Sequence, residues 1–218
     1  MSMADLLLVR HGETALNASG RYQGWLDPGL SDAGRRQALE AGRVVQEAGL
    51  RPAMVWSSDL RRARETTLLA FSGLPVRADR RLRELHFGAW EGWTWEEARR
   101  EHPEAFDAWC RDPEVVPPPG GETLAELRDR LDHWWHESAS WARGTDGTLA
   151  VVAHAGPLRV LLARLLALPP AWRWESMLRI RRGAVVRAGP WPWLRPGASP
   201  LFGPGARTER AGRAGSPA

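Results

Sequence analysis

With 218 residues, 43% hydrophobic and 26% charged, the chain has the size and balance of a single globular domain, and its one cysteine, Cys110, excludes an internal disulfide and any cysteine-built metal site. All 30 basic residues are arginine, which excludes mechanisms that need a lysine: the P-loop, the protein-kinase strand lysine, and the Schiff bases of pyridoxal-phosphate enzymes and class I aldolases. The formal charge of +4 is lopsided, because residues 181–218 hold seven Arg and one Glu, a net +6, leaving −2 for residues 1–180 and making nucleic acid an unexpected partner for the body.

Short continuous apolar runs alternate with amphipathic periodic stretches, the pattern of an α/β fold. Leu6–Val9 reads as a strand buried on both faces, and Arg10, His11, Gly12, Glu13 and Thr14 follow it directly, with Asn17 beyond. Ser31 then caps a helix whose small apolar face is Ala38, Leu39, Gly42 and Val45, and which Gly49 ends. Ala53–Trp56 is a second strand, followed by a helix over Ser58–Phe71 with Arg61, Arg62 and Arg64 near its start. Leu82–Gly88 reads as a short strand carrying Glu84. A helix over Thr123–Trp141 sets Leu124, Leu127, Leu131, Trp134, Ser138 and Trp141 at steps of three and four.

Thr148–Ala153 is a third buried strand, and it leads into His154. Pro157, in a first turn, opens a helix through Leu168 that Pro169 and Pro170 stop. Residues 178–189 read as two strands joined at Arg182–Gly183. Beyond them, residues 204–218 are expected to form a flexible Gly/Pro/Arg-rich tail on a domain spanning 1–203. The thirteen tryptophans read as packing; the run holding Trp90, Trp93 and Trp95 is acidic, which argues against base stacking. No apolar run reaches the ~18 residues of a membrane span, and residues 1–5 lack a signal-peptide pattern, so the expected compartment is the cytoplasm.

The architecture expected is a three-layer α/β/α fold with a mostly parallel central sheet and the site at the C-terminal edge of its strands, where ligands bind in open parallel sheets. Two histidines, His11 and His154, each leave a strand there and each meet a glycine within two residues. Arginines in the first turn of the 58–71 helix favour an anion, because guanidinium forks and helix N-terminal amides both suit phosphate. Helical spacing prefers Arg62, with Arg61 the alternative. Glu84 is a candidate proton donor if apolar neighbours keep it protonated. His133 and His136 stand three apart beside charged residues, and no metal is assigned to them.

Four blocks in this order, LLLVRHGETALN, SSDLRRARET, LRELHFGAWEG and VVAHAGPLR, with PPPGGET between the last two, resemble the histidine phosphatase superfamily, the phosphoglycerate mutase-like proteins, over roughly residues 4–168. The resemblance implies a metal- and cofactor-independent phosphomonoesterase acting on a small phosphate ester, sugar- or nucleoside-like, of the phosphatase branch. His11 would be the phosphorylated nucleophile, Arg10, Arg62 and His154 the phosphate clamp, Asn17 a further phosphate contact and Glu84 the proton donor. A mutase-type phosphotransferase and a low-turnover phosphate-ester binder are the alternatives, and the oligomeric state stays open, a homodimer included. Ala155 departs from the glycine or serine common after the second histidine, and the region after Leu168 matches loosely.

Overall fold

The computed structural model describes residues 6–142, 148–166 and 181–188. Five strands, β1 (Leu6–Arg10), β2 (Pro52–Ser57), β3 (Val76–Ala78), β4 (Thr148–Ala153) and β5 (Val185–Ala188), form one sheet in the order β3-β2-β4-β1-β5. The pairs β1/β4, β4/β2 and β2/β3 are parallel, and β5 runs antiparallel to β1. Seven α-helices are described: α1 (Ala15–Ala18), α2 (Asp32–Glu47), α3 (Arg61–Ala70), α4 (Trp95–Glu101), α5 (Pro103–Arg111), α6 (Leu124–Ala142) and α7 (Ala155–Leu165).

Alternation along the strands divides the core in two. Leu6 and Leu8 join Met54, Trp56, Leu149, Val151 and Ala153 on one face, packed with Leu127, Leu131 and Trp134 of α6 and Leu158, Leu161 and Leu165 of α7. Leu7 and Val9 join Val55, Ala150 and Val152 on the other, against Ala41 and Val45 of α2 and Ala63 of α3. Helices on both faces of a mostly parallel sheet make the expected α/β/α layers. Each such Leu or Val contributes about 1.5–3 kcal/mol by burial, so the strand ends rest on a fully buried apolar layer.

Several local expectations are corrected. Leu39 is 54% exposed, and Gly34, Ala38, Ala41 and Val45 form the buried face of α2. Gly42 serves a close helix contact instead, since a Cβ there would sit 2.6 Å from the Ala70 carbonyl oxygen. The helix after β2 begins at Arg61, because the Ser58 N–H is drawn into the sheet by Val152 O at 2.9 Å. Residues 82–88 form no strand: a 3-10 turn, Arg80–Leu82, passes into an irregular segment. α7 begins at Ala155, with His154 as its N-cap and Pro157 in its first turn. The expected end of that helix at 168–170, the first of the two strands in 178–189 up to residue 180, the Trp141 side chain and the 204–218 tail lie outside the described residues.

α4 and α5 were not anticipated from the sequence. They complete an aromatic core in which Trp90 meets Trp109 edge-on at 5.5 Å and Phe106 at 5.3 Å.

Candidate active site

The site starts from strand register. β1 and β4 are parallel with Arg10 opposite Ala153, and the ladder continues one step as His11 N–H donates to Ala153 O at 3.0 Å. On the far side of β4, Ser58 N–H donates to Val152 O. Ser58, His154 and His11 therefore leave three adjacent strands side by side. The two imidazole centroids are 5.0 Å apart, and His154 Nε2 is hydrogen bonded to Ser58 Oγ at 2.8 Å. The loop after His11 is pressed onto α2: a Cβ on Gly12 would collide with the Gly34 carbonyl, and Gly12 N–H donates to Thr66 Oγ1 of α3 at 3.1 Å.

His11 is 2% exposed and its Nδ1 lies 2.6 Å from Gly12 O. A carbonyl oxygen only accepts, so Nδ1 carries the proton. Burial, reinforced by the positive charges of Arg62 and Arg10, pushes the His11 pKa well below the ordinary histidine value. The ring is thus neutral at physiological pH, with its lone pair on Nε2. His154, fully buried, is pushed well down in the same way, first by burial and then by Arg62, His11, Arg130 and Arg10.

Arg62 is 1% exposed and donates through Nη1 to Leu26 O at 2.7 Å and through Nη2 to Gly24 O at 2.8 Å. Burial lowers its pKa to about 10, with Glu84, Asp27 and Glu91 opposing the shift, so it remains a cation. Its Nε and His154 Nδ1 are buried with no hydrogen-bond partner among the described residues. An unmet buried donor such as Arg62 Nε costs about 1–3 kcal/mol, and an oxyanion is the kind of group that would meet it. Arg10 is likewise depressed by burial, with Glu84 opposing, and its carbonyl accepts from Gly183 N at 3.1 Å. The alternative, Arg61, points away: its side chain is 65% exposed and paired with Glu65.

Asn17 closes the capping box of α1. Its Oδ1 accepts from Thr14 N–H at 3.4 Å and its own N–H donates to Thr14 Oγ1 at 3.2 Å, leaving the amide NH2 as its remaining donor. Glu84 sits on the irregular segment after the 3-10 turn. Its Oε1 accepts from Leu85 N–H at 3.0 Å and from Gly156 N–H, in the first turn of α7, at 2.9 Å. The Glu84 charge acts on both Arg10 and Arg62, which places it on the same site. His133 and His136 are exposed on α6, and among the described residues no group of three His, Cys, Asp or Glu is gathered to hold a metal. No helix among the described residues is long and apolar enough to cross a membrane.

Sequence reasoning missed several participants. Arg182, read as a hairpin turn, reaches back to Glu13 Oε2 at 3.2 Å and Asn17 O at 3.1 Å, and its charge acts on His11 and Arg10. Trp25 donates through Nε1 to Glu84 O at 2.9 Å and stacks on His86 with centroids 4.5 Å apart. Arg83 lies over the Trp25 ring at 5.1 Å and forks onto Asp59 at 2.7 and 2.6 Å. Only the position of Asp59 and Arg83 beside Ser58 and Glu84 could have signalled them.

Comparison with known proteins supports the fold and the family. The sequence profile of the histidine phosphatase superfamily (branch 1) matches residues 6–187. The glucosyl-3-phosphoglycerate phosphatase of Mycolicibacterium vanbaalenii is 43% identical over 176 residues, covering 78% of this chain and 77% of the relative. A mycobacterial glucosyl-3-phosphoglycerate phosphatase solved with VO3 superposes with a TM-score of 0.72 at 35% identity, covering 84% of this chain and 90% of that one. The α-ribazole phosphatase of Shigella flexneri superposes with a TM-score of 0.75 at 29% identity, covering 84% and 89%.

Proposed function

The chain belongs to the histidine phosphatase superfamily and is a phosphomonoesterase, and on that premise we propose that His11 takes the phosphoryl group from a phosphorylated sugar acid or a similar small hydroxylated metabolite. Arg10, Arg62, His154 and the Asn17 amide hold the phosphoryl oxygens, and Glu84 moves the proton. The observation that carries this reading is the His11 tautomer: with Nδ1–H on Gly12 O, only Nε2 can attack.

A phosphate dianion repels ordinary nucleophiles, so neutralising cations must precede attack. Arg10 and Arg62 are fixed cations beside a neutral imidazole, and their placement costs no rearrangement when charge moves. The dianion also opposes the effect of the arginines on His154, favouring a protonated ring that donates to an oxygen. Nε2 attacks phosphorus as the P–O bond to the leaving group breaks, and Glu84 gives its proton to the departing alkoxide. The resulting Glu84 carboxylate then takes a proton from water, which attacks phosphorus and releases His11 and inorganic phosphate. The sugar-acid leaving group is supported by the 43% identical relative, whose name carries it.

The test pairs trapping with product analysis. Acid-sensitive, base-stable phosphate should be trapped on the wild-type protein and be absent from His11→Ala, whose turnover should fall by about four orders of magnitude or more. With 3-phosphoglycerate and catalytic 2,3-bisphosphoglycerate, released phosphate should exceed 2-phosphoglycerate formed, and glucosyl-3-phosphoglycerate should be hydrolysed faster than either. Label retained by His11→Ala would overturn the nucleophile, and isomerisation outrunning hydrolysis would make the chain a mutase.

A further inference from the structure

The segment that carries Glu84 belongs to no helix or strand, yet its half-buried backbone carbonyls need partners. One side chain from α6 supplies them. Arg130 donates through Nη1 to Arg81 O at 2.6 Å and Arg83 O at 2.8 Å, and through Nη2 to Glu84 O at 2.9 Å and Glu122 Oε2 at 2.8 Å. Its Nε donates to Glu122 Oε1 at 2.6 Å. A guanidinium has five N–H groups, and all five are used. Glu122 adds two bonds of its own to the same segment: His86 N–H donates to Oε2 at 3.2 Å, and Glu122 N–H donates to His86 O at 2.9 Å. The pair is 16% and 12% exposed, an arrangement whose desolvation is costly unless each lone pair and proton is engaged.

This gives the PPPGGET segment a task that phosphate binding does not. Its glycines let it lie against the acid-bearing segment: a Cβ on Gly121 would stand 2.5 Å from His86 O, and Pro119 O accepts from Ala89 N–H at 2.9 Å. It thereby delivers Glu122 beneath the backbone of residues 84–86. Glu84 is then held from two sides, its carbonyl by Arg130 and Trp25 and its Oε1 by α7.

We propose that Arg130 and Glu122 are positioning residues for the proton donor, fixing the Glu84 main chain so that its carboxyl meets the leaving-group oxygen. The proposal rests on the reading of Glu84 as that donor. Misplacing such a group by about 1 Å can cost 10²-fold in rate, whereas attack by His11 on an ester with a good leaving group needs little help from it.

The experiment compares p-nitrophenyl phosphate, phenyl phosphate and an alkyl phosphate in Arg130→Met, Arg130→Lys, Glu84→Gln and the double variant Glu84→Gln/Arg130→Met. Arg130→Met should lose about 10- to 100-fold in kcat on the alkyl ester and less than about threefold on the nitrophenyl ester, with KM little changed. Arg130→Lys keeps the charge beside Glu122 without the fork, so it should show the same selectivity at smaller size, and it serves if Arg130→Met does not fold. On the alkyl ester the double variant should be little worse than Glu84→Gln alone, because the leaving-group selectivity that Arg130 confers passes through Glu84, whereas its charge on His154 bears on all three esters alike. An equal loss on all three esters, or additive losses, would overturn the positioning role while Glu84→Gln stayed selective. A Glu84→Gln enzyme slowed equally on all three would remove the donor assignment, and the positioning role with it.

Discussion

The two halves of the site are built differently. On the side proposed to hold phosphate, His11, His154 and Arg62 are 2%, 0% and 1% exposed, and both histidines are set by the parallel ladder of β1 and β4. Around Glu84, the proposed proton donor, Trp25, Arg83 and His86 stand on loops joined by side chains that cross long stretches of sequence: Trp25 to Glu84, Arg83 to Asp59, Arg130 to Glu84. Arg83 and His86 keep 27% and 31% of their side chains in solvent. A ladder fixes geometry through backbone groups that every residue has, so the phosphate half tolerates little change in position. Loops tied by side chains can be rebuilt without disturbing the sheet.

This contrast breaks first at Arg62. Arg62→Ala removes a buried cation needed by ground and transition states alike, and kcat/KM should fall by about 10²- to 10³-fold on every ester regardless of leaving group. Arg61→Ala, on the exposed side of the same turn, should leave kinetics within about twofold. A reversed order, measured with p-nitrophenyl and alkyl phosphates, would move the clamp to Arg61 and detach the helix from the ladder-built half.

Asn17 tests the rim of that half. Asn17→Asp keeps an acceptor for the Thr14 N–H but replaces the amide donors with negative charge, so KM for any phosphate ester should rise by roughly tenfold with little loss of fold stability. An unchanged KM, with inorganic phosphate inhibition also unchanged, would show that the amide does not reach the phosphoryl group.

The smallest effect is on stability. Both buried histidines hold folded pKa values below the ordinary one, so as pH falls below about 6.5 the unfolded chain takes up protons that the folded one refuses, and stability is lost in that direction. Each contributes a slope of up to about 1.4 kcal/mol per pH unit below about pH 6.5, so the stability it supplies is present at neutral pH and eroded toward acid. The midpoint of thermal unfolding should therefore drop between about pH 6.5 and 5.5, and His11→Asn should reduce the slope. A flat midpoint over that range would mean that the folded chain takes up protons there as readily as the unfolded one.

How much was legible follows the same division. Residues 6–9 and 148–153 are continuous apolar runs, so strands, their burial on both faces and the residues leaving their ends could be read directly, and with them Arg10, His11 and His154. Glu84 was legible as a carboxylate in a short strand-like run, and the family-like block around it implied its role as proton donor. The strand expected at 82–88 does not form, because its carbonyls are taken by the side chains of Arg130 and Trp25 and no neighbouring strand is offered to them. Leu39 was misassigned for a related reason: one helical face accommodates Ala38, Ala41 and Val45, and a leucine one step round the helix is left in solvent.

The sequence by itself determined the α/β class, the absence of lysine chemistry, and the pairing of two histidines with arginines at strand ends, since hydrophobic period and residue type are local properties. Only the tertiary structure decided which arginine of the Arg61–Arg62 pair faces inward, because that depends on the carbonyls of Gly24 and Leu26 arriving opposite α3. It alone joined Ser58 to His154, Arg182 to Glu13, and Arg130 with Glu122 to the segment bearing Glu84. In sequence, an arginine on an amphipathic helix has the signature of a solvated charge. What distinguishes Arg130 is the set of unpaired carbonyls that folding brings within reach of its five N–H groups.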